Sequence, residues 1–325
     1  MGESEKFGVF EILLGGDLMD FNLVRFNLVR SGFIRSGFIR SNLVLLAASV
    51  SLMACSQYQG TNLSNGVADG IIGGQVVPST EALAHGVVAL YDVQRKALCT
   101  ASIASAKYLI TAAHCVLPGS TQNLRVVYGT DITNKATITA VGTVTGAIQS
   151  PLWATNQNNT QNTGDIAVVR LASPLPAGYA PVSVLNDNSS LQAGTPVLLA
   201  GYGISVGHPD PASKNDNGAG VLRSVVTKIV NPAFSASEVM IDESQGKGAC
   251  HGDSGGPAYV QVNGKTMLFG VTSRGTDQFC GQGVVYTNIV AYLKWLPTAA
   301  QQLEAQAAQK VSGFLMPRFL ANLEE

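Results

Sequence analysis

Charge is scarce in this chain. Of its 325 residues 20 are Lys or Arg and 21 are Asp or Glu, a formal net charge of −1. No basic field suits nucleic acid and no acidic tail is present, so a nucleic-acid partner is not expected. Acid clusters with calcium-ligand spacing are missing too, because Asp131 stands alone in its polar stretch. The apolar run over residues 43–54 is too short to span a bilayer. Histidines number only four, and none follows Ser254. Cysteines number five, which leaves one over after pairing.

What is present points to strands. The chain is long enough for one large core or two moderate ones. Short runs rich in Val, Ile and Thr recur between turn residues, a pattern of all-β barrels or sandwiches. Expected strands of a first barrel, between residues 86 and 186, are 87–91, 101–103, 108–111, 124–128 and 167–171. A second barrel is expected from about Pro196 to Asn288.

One stretch organises the rest: Gly252-Asp253-Ser254-Gly255-Gly256-Pro257. Its Gly and Pro content marks a tight, irregular turn. Such a turn can lift the Ser254 hydroxyl clear of the backbone and leave N–H groups beside it for an oxyanion. A nucleophilic serine needs a base and an orienting acid. His114, in Thr111-Ala112-Ala113-His114-Cys115, follows an apolar run, and Asp165 opens the strand-like Asp165-Ile166-Ala167-Val168-Val169-Arg170-Leu171. Each has a plainer reading alone. A histidine beside a cysteine is ordinarily structural, and an acid at a strand mouth can simply start it. The turn also fits G-x-S-x-G of α/β-hydrolases, but those place their histidine after the serine, and none follows here.

In the order His114, Asp165, Ser254, with Ile71-Ile72-Gly73-Gly74 upstream, the chain resembles the chymotrypsin/trypsin family of serine peptidases. The resemblance covers about residues 71–296. It implies an all-β fold of two six-stranded antiparallel barrels with a short C-terminal helix and the site in the cleft between barrels. That helix is expected over 288–296, with Tyr292 and Trp295 facing the core and Pro297 as its stop. The resemblance also implies a catalytic set of His114, Asp165 and Ser254, with the N–H groups of Gly252 and Ser254 as the oxyanion hole. No metal or organic cofactor is called for. The partners implied are polypeptide substrates and an activating protease of unknown type. A catalytically silent binding module is the rival reading.

Further residues follow from the same resemblance. Cys99 pairs with Cys115 and Cys250 with Cys280. The usual third bridge is absent, with Asp242 standing where one of its cysteines is often found. Gly201-Tyr202-Gly203 resembles the turn at the barrel junction. Cleavage before Ile71 would free an ammonium to pair with Asp253; because residue 70 is Gly, a trypsin-like activator is not implied. The pocket floor falls at Gly248, with walls at Ser273 to Gly275 and near Val284, or near Gly283 if the register slips. An uncharged floor predicts cleavage after apolar residues, since burying Arg or Lys without a partner would cost several kcal/mol. Arg274 falls where the family commonly carries Trp, and the sequence offers no account of it. His251 is expected on the pocket rim.

The N-terminal 54 residues read as a leader. Arg-spaced five-residue repeats precede the apolar run over 43–54, a signal-peptide pattern. Its end, Leu52-Met53-Ala54-Cys55, resembles a bacterial lipobox, which would acylate Cys55. The expected location is therefore extracytoplasmic, on the bacterial outer membrane or cell surface as a lipoprotein, or else secreted. Residues 55–70 read as a tether or pro-segment, 71–298 as the peptidase domain and 299–325 as a tail. The tail is helix-compatible, and Phe314, Leu315 and Phe319 are expected to pack back rather than to dock a partner.

Overall fold

The computed structural model describes residues 71–205, 218–277 and 280–321, with side chains as far as Gln309. The expected leader, tether and acylated Cys55 lie outside the described residues, as do the side chains of Phe314, Leu315 and Phe319. The strands, in chain order, are β1 (Gln75–Val76), β2 (Val87–Asp92), β3 (Ala97–Ile103), β4 (Tyr108–Thr111), β5 (Leu124–Gly129), β6 (Ile138–Gln149) and β7 (Ala167–Leu171), then β8 (Pro196–Gly201), β9 (Arg223–Ser235), β10 (Glu238–Ile241), β11 (Pro257–Val262), β12 (Lys265–Gly275) and β13 (Val284–Asn288). Two α-helices accompany them, α1 (Pro151–Asn156) and α2 (Trp295–Ala321).

The first barrel closes in the order β2-β3-β4-β7-β6-β5. The second runs β9-β10-β13-β12-β11-β8 and closes by pairing β8 with β9, with β1 added outside β9. Every strand pair is antiparallel. The fold is therefore two six-stranded antiparallel barrels followed by a helix, the chymotrypsin type.

Strand β2 shows why simple polar alternation is missing. All six of its residues are buried. Successive side chains point to opposite faces of a strand. Val88 and Leu90 face the first-barrel core, while Val87 and Ala89 join a cluster with Ala200, Tyr202 and Leu222 of the second-barrel side. One strand thus serves two apolar clusters. Tyr202 fastens the seam further by donating its hydroxyl to the carbonyl oxygens of Gly129, at 2.7 Å, and Val87, at 3.3 Å.

The sequence expectation lacked β6, the longest strand of the first barrel. Its burial is intermediate along most of its length, so it has no clean apolar face. It also carries two glycines, which weaken the strand signal. One of them has a packing reason: a Cβ on Gly146 would come within 2.8 Å of Leu303 Cδ2 on α2.

The expected stop at Pro297 is corrected. Helix α2 begins at Trp295 and continues through the anticipated domain boundary at 298/299. Pro297 lies in its first turn, where N–H groups lack helical partners anyway, so the missing donor costs nothing. Ala299 and Leu303 are buried against Val168, with Tyr108 and Ile148 alongside. Glu304 then accepts from Tyr108 Oη at 2.7 Å and Arg170 Nη2 at 3.1 Å, with Lys107 Nζ at 3.5 Å. The Arg170 and Tyr108 hydrogen bonds hold the Glu304 carboxyl down to about 2. As far as Glu304, helix α2 is therefore packed on the first barrel.

Candidate active site

His114 sits in a single 3-10 turn, Ala113–Cys115, just after β4. The turn is pinned at Cys115, which is bridged to Cys99 on β3. Asp165 precedes β7, the neighbour of β4 in the sheet. That adjacency brings the two together. His114 Nδ1 lies 2.8 Å from Asp165 Oδ2, and the His114 backbone N–H donates to Oδ1 at 3.0 Å. Ser273 Oγ also donates to Oδ2, at 2.7 Å. The Asp165 carbonyl accepts from Thr287 Oγ1 at 2.8 Å. Asp165 is only 2% exposed, and these donors compensate the burial of its carboxylate. The imidazole, by contrast, is one-third exposed. Trp153 of α1 stands beside it, with ring centroids 6.3 Å apart.

Ser254 reaches the same place from the second barrel. Its carbonyl accepts from Thr100 N–H at 2.8 Å and lies 3.6 Å from Sγ of Cys115, the residue after the histidine. The next residue, Gly255, has φ +80°, and a Cβ there would collide with Thr111 Oγ1 and the Thr100 carbonyl. The glycine is thus required on two counts, backbone and space. Thr100 is the hub of this docking, a fully buried residue that the sequence did not single out. Its Oγ1 donates to the Gly252 carbonyl at 3.0 Å and accepts from Tyr202 N–H at 3.1 Å, and its own carbonyl accepts from Thr111 Oγ1 at 2.8 Å.

Around the serine, the N–H groups of Asp253, Gly255 and Gly256 are all used, bonding to the carbonyls of Cys250, Thr272 and Asp253. Among the described residues, no hydrogen bond is donated by the N–H of Gly252 or Ser254. Gly252 takes φ +96°, which a side chain would strain.

Asp253 is wholly buried. Its Oδ1 accepts from Gly203 N–H at 2.8 Å and Oδ2 from Cys250 N–H at 2.9 Å. Gly201 and Gly203 are glycines because a Cβ at either would run into this carboxylate. Burial pushes the Asp253 carboxyl up to about 7, against the two N–H donors; Glu243 adds to the rise and Arg223 opposes it. Ile71 is buried in the second-barrel core, and Ile72 accepts from Gly248 N–H at 3.0 Å. The N-terminal segment of the domain thus lies against the loop that leads to Ser254.

Of the expected pocket residues, Ser273 and Gly275 lie on β12, Val284 on β13 and Gly248 in the loop before Ser254. Gly275 pairs directly with Val284 across β12 and β13, after a register shift between Thr272 and Arg274. That fixes Val284, not Gly283, opposite Gly275. Val284 packs with Ala249 and Tyr286. Cys250 and Cys280 are bridged, tying the serine loop to the loop before β13. His251 is exposed. Asp242 carries no cysteine role; it pairs with Lys228 at 3.5 Å.

Gly248 is itself uncharged, but an acid not singled out in the sequence lies against it. The Glu243 carboxylate occupies the space a Cβ on Gly248 would take. It is 1% exposed and accepts from Ala249 N–H at 2.8 Å, Gly281 N–H at 3.0 Å and Gly283 N–H at 3.1 Å. Burial pushes its carboxyl above the ordinary range against the pull of those three donors. Its carboxylate is engaged by the backbone beside Gly248 and by the segment before β13. No local pattern reports this role, because Gly281 and Gly283 are far along the chain.

Among the described residues two clusters bring histidine near sulfur, Cys99/His114/Cys115 and Cys250/His251/Cys280. In both the sulfurs are in disulfides, so neither offers the thiolate a metal would need.

The chain is similar in sequence to several known proteins. Chymotrypsin-2 of Vespa crabro is 29% identical over 203 residues, spanning 62% of this chain and 88% of its own. Brachyurin of Leptuca pugilator is 29% identical over 218 residues, 62% of this chain and 86% of its own. Chymotrypsin-like elastase family member 1 of Canis lupus familiaris is 28% identical over 215 residues, 61% of this chain and 79% of its own. Residues 71–296 match the trypsin family, and the chain belongs to that family.

Proposed function

We propose that the protein is a serine endopeptidase working through His114, Asp165 and Ser254. The observation that carries this reading is the buried Asp165 carboxylate bonded to both the backbone and Nδ1 of His114. With Nδ1–H given to Asp165, Nε2 is left as the base for the Ser254 hydroxyl. Ser254 Oγ attacks the scissile carbonyl while His114 takes its proton. The tetrahedral oxyanion is received by the N–H groups of Gly252 and Ser254, consistent with their having no acceptor among the described residues. His114 then protonates the leaving amine, and water hydrolyses the acyl-enzyme by the reverse sequence. Asp165 holds the tautomer and stabilises the imidazolium.

Activation by cleavage before Ile71 is part of the same reading. Asp253 is a buried carboxylate with two N–H donors, and the new ammonium would supply a charge partner. The cleavage preference is for small or medium apolar residues. Val284 narrows the wall, and Glu243 is too covered by N–H donors to receive a substrate cation. The protein acts outside the cytoplasm, anchored through lipid on Cys55 or secreted; its disulfides fit an oxidising compartment.

Digestion of an unfolded protein substrate by the preparation cleaved before Ile71 tests the function. Cleavage lost in both Ser254→Ala and His114→Ala supports it. Cleavage that survives Ser254→Ala contradicts it.

A further inference from the structure

Arg274 follows Ser273 on β12, and its guanidinium points at the loop that delivers Asp165. Nη1 lies 2.8 Å from Glu238 Oε1, 3.2 Å from Ser273 Oγ and 3.3 Å from Thr163 Oγ1, and Nη2 donates to the Thr160 carbonyl at 2.6 Å. The side chain is 27% exposed while that of Glu238 is fully covered. Glu238 also accepts from Asn162 N–H at 2.7 Å, Thr163 N–H at 3.2 Å, Thr163 Oγ1 at 3.0 Å and Ser235 Oγ at 2.8 Å. Asn162 holds φ +54° and accepts from Ser237 N–H and Oγ through its own Oδ1.

The partners divide by barrel. Thr160, Asn162 and Thr163 belong to the first-barrel connection that ends at Asp165. Ser235, Ser237, Glu238, Ser273 and Arg274 belong to the second barrel. This is a polar clasp between barrels, and its ion pair is shielded from water on the Glu238 side. A charge pair so placed is costly to break, because removing one partner leaves the other buried and unpaired. Histidine and acid stand on one barrel and the serine on the other, so whatever fixes the barrels here also fixes their separation. Through Ser273 Oγ the guanidinium is two hydrogen bonds from the Asp165 carboxylate, which also bonds His114.

We propose that Arg274, anchored on Glu238, is a positioning residue that locks the Asp165 loop to the second barrel and so sets His114 against Ser254. The proposal rests on the peptidase reading above for its kinetic consequence, but its geometric content stands apart from activity. Displacements of about an ångström far from the reacting atoms can cost a hundredfold in rate.

The test compares Arg274→Ala, Arg274→Lys and Glu238→Gln in the cleaved whole protein. On an apolar peptide substrate, Arg274→Ala is expected to lower kcat about ten- to a hundredfold with KM within about twofold. Arg274→Lys keeps the charge beside Glu238 and should recover part of the loss. Glu238→Gln keeps the shape and should fall between wild type and Arg274→Ala. A second readout needs no activity: the downfield proton resonance of the His114 Nδ1–Asp165 bond should be lost or shifted in Arg274→Ala and retained in Arg274→Lys. A raised KM with unchanged kcat, or an unaltered resonance in both Arg274→Ala and Glu238→Gln, overturns the proposal. A wild-type protein that cleaves nothing sinks the peptidase reading alone, and the resonance still decides the clasp.

Discussion

Ser273 on the second barrel donates its hydroxyl to Asp165 Oδ2 on the first, at 2.7 Å, and the same oxygen meets His114 Nδ1 at 2.8 Å. One carboxylate oxygen therefore registers both the partner barrel and the histidine. Ser273→Ala would leave that buried oxygen with one side-chain donor fewer. A lost hydrogen bond to a charged group costs about 1.5–3 kcal/mol. Thermal unfolding should show a lower Tm, and kcat should drop roughly tenfold with little change in KM.

The buried Asp253 makes the uncleaved chain sensitive to pH. Its folded value of about 7 lies above the ordinary value of 3.8. Between those two values the folded state binds more protons than the unfolded state. Stability of the uncleaved chain should therefore fall as pH rises from about 4 to about 7 and level off above, by up to about 4 kcal/mol. Cleavage before Ile71 would supply an ammonium, hold the carboxyl ionised and remove that decline. Urea unfolding of Ser254→Ala, cleaved and uncleaved, across this range checks the difference. Parallel curves would contradict the activation reading.

The wall residue Val284 faces Gly275 in register. Val284→Gly should extend cleavage toward aromatic residues, read from a peptide-library digest. The floor should tolerate less. Gly248→Ala drives a methyl into the Glu243 carboxylate, and overpacking of this kind costs about 1–3 kcal/mol. The Gly248→Ala change should weaken binding of every substrate, because Glu243 would release the N–H groups of Ala249, Gly281 and Gly283. Dominant cleavage after Arg or Lys by the unmodified protein would show that Glu243 is reachable after all.

Helix α2 should matter for stability well beyond Pro297. Leu303 is buried against Val168 and fits over Gly146. Leu303→Ala should destabilise by about 2–4 kcal/mol in denaturant unfolding. Truncation after Thr298 should cost at least as much. A truncated chain of unchanged stability would return residues 299–325 to the status of a tail.

What the sequence disclosed followed the range of its signals. Ser254, His114 and Asp165 stand in short local motifs, and the strands around them alternate or run apolar, so the barrels and the site were legible. The strand β6 was not, since its residues are half-exposed on both faces and interrupted by Gly142 and Gly146. Nor was the reach of α2, because Pro297 reads as a stop until its place in the first turn is known. Thr100, Glu243 and the Glu238–Arg274 pair were silent for a different reason. Each acts through backbone groups or charges distant in sequence, and no local pattern reports such partners. In the sequence Arg274 stands out only as a departure from the family pattern, and its partner Glu238 lies 36 residues away.

The central claim is that Ser254 is a nucleophile activated by His114. A fluorophosphonate probe added to the protein cleaved before Ile71, followed by peptide mass spectrometry, measures this directly. The account expects one covalent adduct, on Ser254, formed rapidly in the wild type and slowed at least a thousandfold, in order of magnitude, by His114→Ala. An unmodified Ser254 in cleaved, folded protein, or labelling undiminished by His114→Ala, would contradict it.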